Sequence, residues 1–72
     1  MKISQNFGKA LYHARIAKGL TQKQAAERIG ISTRWYQQLE KGGVKGSLRI
    51  CMCAARELGV SFSVLTEDSD AE

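Results

Sequence analysis

Apolar residues recur along the chain every three or four positions, and no stretch alternates with period two for long. That spacing predicts helices and no strands. Ser4 stands where a cap would open a first helix reaching to about Lys18, with Phe7, Ala10, Leu11, Ala14 and Lys18 along one face. Gly19 is a suitable C-terminal stop. Thr21 opens a second helix with "TQKQ", a threonine followed three residues later by glutamine, which is the capping-box pattern. Ala25, Ala26 and Ile29 give it a small inner face, and Gly30 ends it, since glycine turns left-handed without a steric penalty. Ser32 caps a third helix, about residues 33–41, and "KGGVKG" (41–46) is a glycine-rich loop. Ser47 caps a fourth helix that Gly59 closes, with Leu48, Cys51, Met52, Ala55 and Leu58 facing inward. Ser61 begins a last short helix carrying Phe62, Val64 and Leu65. The expectation is an all-α, compact domain of five short helices, without internal repeats.

The third helix has an unusual polar face. With Thr33 at zero and steps of about 100° per residue, Thr33, Arg34, Gln37, Gln38 and Lys41 fall within an arc of about 140°. Trp35, Tyr36 and Leu39 take the opposite arc, and Glu40 lies beside the apolar arc. Solvated faces usually mix acids with bases. This one is free of acids, and its side chains are of the kinds that pair with base edges and phosphates.

Charge sharpens that picture. The 72 residues contain 11 Lys and Arg against 7 Asp and Glu. Four of the acids, Glu67, Asp68, Asp70 and Glu72, sit in the last six positions. Residues 1–66 thus form a basic unit, followed at 67–72 by an acidic tail expected to be solvated. A basic surface favours polyanions such as nucleic acid.

Within "TQKQAAERIGISTRWYQQLE", Ala26 precedes Gly30 by four residues, small enough for two helices to cross closely at a glycine turn. That is helix-turn-helix spacing. Here the chain resembles the lambda-repressor-like, Cro/C1-type (XRE) helix-turn-helix domains. The resemblance covers roughly residues 7–66 and rests on "ARIAKGLTQKQAAERIGIS", "QQLEKG" and "SLRICMCAARELGVSFSVL". It implies a five-helix fold whose third helix enters the major groove of double-stranded DNA. It also implies a transcriptional regulator, more often a repressor. By that resemblance Thr33, Arg34 and Gln38 reach base edges, with Gln37 on the same surface. Gln22 grips a phosphate and braces the recognition helix. Ser32, Trp35, Lys41 and Lys45 complete the expected phosphate contacts. Arg15 and Glu40 match a pair that bridges the first and third helices. Val60, Phe62, Val64 and Leu65 concentrate apolar surface where family members pair, so a homodimer on a near-palindromic operator is expected.

Three positions depart from the family pattern. Gly46 replaces a common proline, which predicts a looser loop. Tyr36 stands where a branched aliphatic residue is usual, so the core should rearrange there. Trp35 replaces a small polar residue. The helical wheel groups Trp35 with the core, whereas the resemblance places it at the DNA-facing edge, its ring over the second helix or a sugar-phosphate strand.

Other chemistries find little support. Cys51 and Cys53 point about 200° apart on a helix and cannot share an ion, and zinc needs four suitable ligands. The single histidine, His13, falls away from the apolar face of the first helix and reads as solvated. No nucleophile–base pair or P-loop pattern is present, so no enzyme, no cofactor, no metal and no small-molecule ligand are expected. No apolar run approaches the roughly 20 residues of a membrane span, and "MKISQNFGKA" lacks the apolar stretch of a signal peptide, so none is expected. A cytoplasmic protein is the expectation. The rival class is an antitoxin-type interaction protein that binds a toxin and autoregulates its promoter, though no toxin-wrapping extension is evident.

Overall fold

The computed structural model describes residues 2–43 and 45–61. They form four helices: α1 (Gln5–Ala17), α2 (Gln22–Ile29), α3 (Thr33–Lys41) and α4 (Leu48–Leu58). An isolated antiparallel bridge joins Lys2 to Lys45. The all-α expectation holds, whereas the count of five helices is not supported. The expected fifth, with Phe62, Val64 and Leu65, lies outside the described residues, as does the acidic tail.

Each helix starts at a hydroxyl, as the sequence suggests. Ser4 Oγ accepts the Phe7 N–H, Ser32 Oγ accepts from Trp35 and Ser47 Oγ accepts from Ile50. Thr21 and Gln24 form a reciprocal capping box. Such caps stabilise a helix by about 1 kcal/mol each. A helix this short needs them, because nucleation is costly and few turns follow.

The core gathers Ile3, Phe7, Leu11, Ala25, Ala26, Ile29, Tyr36, Leu39, Cys51 and Leu58 with Ala54 and Ala55. Two expected faces need correction. On α4 Leu48 and Met52 are 53% and 46% exposed, and Ala54 is buried instead. The helix turns its small residues inward, since Ala54 and Ala55 allow a closer approach than larger side chains would. On α1 Lys18 is exposed and caps the C-terminus, while Gly8 and Arg15 are buried.

Gly8 is the contact point of α1 with α3. A Cβ there would lie 2.3 Å from the Glu40 carbonyl oxygen and 2.7 Å from that of Leu39. Only glycine permits that crossing. At the C-terminus of α3, Gly42 takes φ +74° and stands against Ser4 and Gln5, and the Gly43 N–H donates to the Ile3 carbonyl at 2.7 Å. The third helix is therefore clamped at its far end by the start of the first.

Candidate nucleic-acid interface

The turn between α2 and α3 is built on Ala26 and Gly30. Gly30 has φ +88°. Its N–H and that of Ile31 both donate to the Ala26 carbonyl, at 2.8 and 3.0 Å. Ala26 is buried, so α2 and α3 meet closely around it. Leu39 and Tyr36 anchor the inner face of α3, and both are wholly buried.

The outer face of α3 carries the expected side chains. Arg34, Gln37 and Lys41 are exposed; Thr33 and Gln38 are half-buried. Ser32 stands exposed at the start of the helix with its Oγ engaged as the cap. Lys45 is exposed in the loop beyond, fixed there through its bridge to Lys2. Val60 is half-buried against the core.

Behind this face lies a buried polar network. Arg15 Nε donates to Glu40 Oε2 at 2.6 Å, and both side chains are about nine-tenths buried. Arg15 Nη2 adds a longer bond of 3.4 Å to Glu40 Oε1. Arg15 Nη1 donates to the Leu20 carbonyl at 2.9 Å, so the guanidinium also ties down the α1–α2 connection. Gln22 Nε2 donates to Glu40 Oε1 at 3.1 Å, and Gln37 Nε2 donates to Gln22 Oε1, also at 3.1 Å. Three helices thus meet at one carboxylate.

The electrostatics follow from these contacts. Burial works to raise the Glu40 pKa, but hydrogen bonding to Arg15, with Gln22 also donating and the Tyr36 hydroxyl close by, outweighs it and holds the carboxyl below its usual range. The hydrogen bond to Glu40 raises Arg15 in turn, against the opposing effect of burial. Tyr36 is pushed above the ordinary phenol value, first by burial and then by the neighbouring carboxylate. Its hydroxyl lies in that neighbourhood, yet no hydrogen bond of proper distance and angle reaches it.

Trp35 sits at the margin of the core, half-buried. Its Cη2 lies 3.6 Å from where a Cβ on Gly46 would be, and Ile3 Cδ1 would be at 2.5 Å. The ring therefore leans on the loop before α4. His13 is exposed and meets Tyr12 edge-on, and Cys53 Sγ donates weakly to the Ile29 carbonyl at 3.7 Å. No group of three or more His, Cys, Asp or Glu able to hold a metal occurs among the described residues.

Two features escape sequence reasoning. The Gln22–Gln37 bond spans two helices and leaves no periodic trace. The exposed pair Leu48 and Met52 reads as core from composition alone; with Arg49, Cys53, Arg56 and Val60 they line a shallow surface groove.

Comparison with known proteins places this geometry. The helix-turn-helix family profile matches residues 11–65. A propionyl-CoA carboxylase regulator of Cereibacter sphaeroides is 38% identical over 65 residues, which is 90% of this chain. The chain spans only 14% of that relative's length. Among solved structures, the clp gene regulator ClgR of Corynebacterium glutamicum superposes with TM-score 0.74 at 30% identity, over 92% of this chain and 86% of that one. The restriction-modification controller protein C.AhdI of Aeromonas hydrophila gives 0.71 at 30% identity, over 83% and 91%. With that profile over most of the chain and these likenesses in fold, the chain belongs to the helix-turn-helix family, of the Cro/C1 (XRE) type, a family of DNA-binding transcriptional regulators.

Proposed function

We propose that this protein is a sequence-specific regulator that represses transcription by laying α3 in the major groove of its operator. The observation that carries this reading is the acid-free outer face of α3, held in place by a buried ion pair behind it. Arg34 is suited to guanine O6 and N7, and Gln38 to adenine N6 and N7, each two-pronged contact discriminating by about 1–3 kcal/mol. Thr33 is short and stands at the helix start, fit for a thymine methyl or a phosphate. Gln37 shares the base-facing surface. Gln22, Ser32, Trp35, Lys41 and Lys45 position the backbone without reading sequence.

The assembly on DNA is a two-fold homodimer, its recognition helices about 34 Å apart on a near-palindromic site. Val60 is the described member of the proposed interface. The exposed apolar side chains of Leu48 and Met52 line the same groove as Val60, which supports pairing through this region. Phe62, Val64 and Leu65 are the further interface residues proposed. No described helix is long and apolar enough to cross a membrane, and the cytoplasm is the proposed location, since that is where the operator DNA would be met.

Selection of bound duplexes from a random pool tests the reading. A recovered motif with two related half-sites is the expected result. Arg34→Ala and Gln38→Ala should then each relax preference at particular base pairs. If both variants keep the wild-type ranking across single-base operator mutants, α3 is not the reader.

A further inference from the structure

The hydrogen bonds behind α3 run in one direction, and that direction reaches the outer surface. An ionised carboxylate can only accept, whereas an amide side chain has a donating and an accepting end. Glu40 is bound to Arg15 at 2.6 Å and so is charged in the folded protein. Gln22 must therefore turn its nitrogen toward Glu40, as observed at 3.1 Å. Its oxygen then faces Gln37. Gln37 has to answer with its own nitrogen, again as observed at 3.1 Å. The polarity of each amide is dictated by its predecessor, starting from one buried negative charge.

The outcome is a fixed orientation of an exposed side chain. A free glutamine amide can flip and present either end. Gln37 is exposed; one of its two amide hydrogens is committed to Gln22, which fixes the nitrogen end toward α2 and the carbonyl oxygen on the other side, with one N–H still free to donate. Flipping the amide would set two carbonyl oxygens face to face. It would also require Gln22 to flip, setting a carbonyl oxygen against the Glu40 carboxylate.

We propose that the Glu40–Gln22–Gln37 relay fixes which end of the Gln37 amide the groove meets, so that at the operator position where its carbonyl oxygen lands the protein favours an amino-bearing base, adenine or cytosine, over a keto base. Adenine N6 and cytosine N4 donate in the major groove, whereas guanine O6 and thymine O4 only accept. Gln37 is the reading residue; Gln22 and Glu40 are positioning residues that act through it. The inference rests on the proposal that α3 reads DNA, and it adds which chemical feature one of its residues demands.

The test uses the full chain and a random duplex pool. The wild-type protein gives the reference motif, and Gln37→Ala identifies the position that Gln37 reads. At that position the wild type should favour adenine or cytosine by about tenfold over guanine and thymine. Gln22→Met keeps the length of the side chain but removes both amide groups. It frees Gln37 to turn, so the tenfold preference should fall to nearly none at that position while preferences elsewhere stand. Loss of a phosphate contact from Gln22 would lower affinity for every sequence alike and would not produce this pattern. Gln37→Glu, which can only accept, should restore a preference and shift it toward cytosine, even in the Gln22→Met background. Thermal melting of each variant confirms that it is folded. A wild type that selects no motif would defeat the DNA-reading proposal itself. A clear wild-type motif whose Gln37 position is unchanged in Gln22→Met would defeat the relay alone.

Discussion

The side chain of Ile3 occupies the room left by the missing side chain of Gly46. An added Cβ at 46 would stand 2.5 Å from Ile3 Cδ1, whereas the Trp35 ring, at 3.6 Å, would be in ordinary contact. The close neighbour is the tip of a flexible side chain, so the crowding is partly relievable. Gly46→Ala is expected to cost about 1 kcal/mol through overpacking. Ile3→Val removes the obstructing methyl, and in that background the added cost should largely vanish. A double-mutant cycle by urea denaturation measures the coupling, expected at about 0.5–1 kcal/mol.

The crossing at Gly8 offers no such relief. Its would-be Cβ meets backbone oxygens of Glu40 and Leu39. Alanine is the better helix former by about 1 kcal/mol, yet Gly8→Ala should destabilise by about 1–3 kcal/mol as α1 and α3 are forced apart. An unchanged or raised melting temperature would contradict the close crossing.

The Arg15–Glu40 pair should dominate the acid response. Arg15→Ala leaves a buried carboxylate without its partner and is expected to cost about 3–5 kcal/mol at pH 7. The folded pKa of Glu40 is depressed. Its contribution is therefore complete above the unfolded value of about 4.3 and is lost as pH falls through the folded one. Denaturation of the wild type and Glu40→Gln from pH 7 to pH 2 tests this: the variant should start less stable and lose less below about pH 4.

Tyr36 predicts the opposite limb. Its folded pKa is raised, so the stability it contributes is present below the unfolded value of about 10 and declines as pH rises beyond it. Tyr36→Phe removes that decline. Because the hydroxyl lacks a well-formed hydrogen bond, the substitution should stay within about 1 kcal/mol of wild type at pH 7. Melting temperatures between pH 8 and pH 11 give both readings.

Two surface substitutions separate assembly from DNA contact. Met52→Glu places a charge on the proposed pairing surface and should shift sedimentation of the protein–DNA complex from two chains toward one. Lys45→Ala should leave the stoichiometry alone, weaken all sequences about equally, and flatten the logarithmic salt dependence by roughly one unit per chain.

What the sequence disclosed here, and what it withheld, follows from the range of the interactions. The caps at Ser4, Thr21, Ser32 and Ser47 are local, involving residues three apart, and were legible directly. So was the outer face of α3, because helical phase places Arg34, Gln37 and Gln38 together. The Arg15–Glu40 pair came from family resemblance, since no local rule links positions 25 apart. The orientation of α4 is not legible in this way: hydropathy ranks Leu48 and Met52 above Ala54, but closeness of approach between helices rewards the smaller side chain. Gly8 carries no signal in the sequence either, because a glycine inside a helix shows its purpose only against the helix it touches. The order imposed on Gln22 and Gln37 depends on which hydrogen-bonding end faces which, and that belongs to three-dimensional arrangement alone.

The choice of hydroxyls at all four helix starts constrains how this protein can be improved. No acidic residue occupies the first turn of any described helix. Aspartate caps as well as serine or threonine, and its charge adds a favourable term of about 0.3–1 kcal/mol with the helix dipole. A laboratory selection for heat resistance would therefore find Thr21→Asp and Ser32→Asp attractive. Both lie at the helix ends proposed to approach phosphate, where the same charge would repel the operator. Thermal hardiness and operator occupancy pull on these two positions in opposite directions, and a lineage kept for its regulation would hold to the uncharged cap.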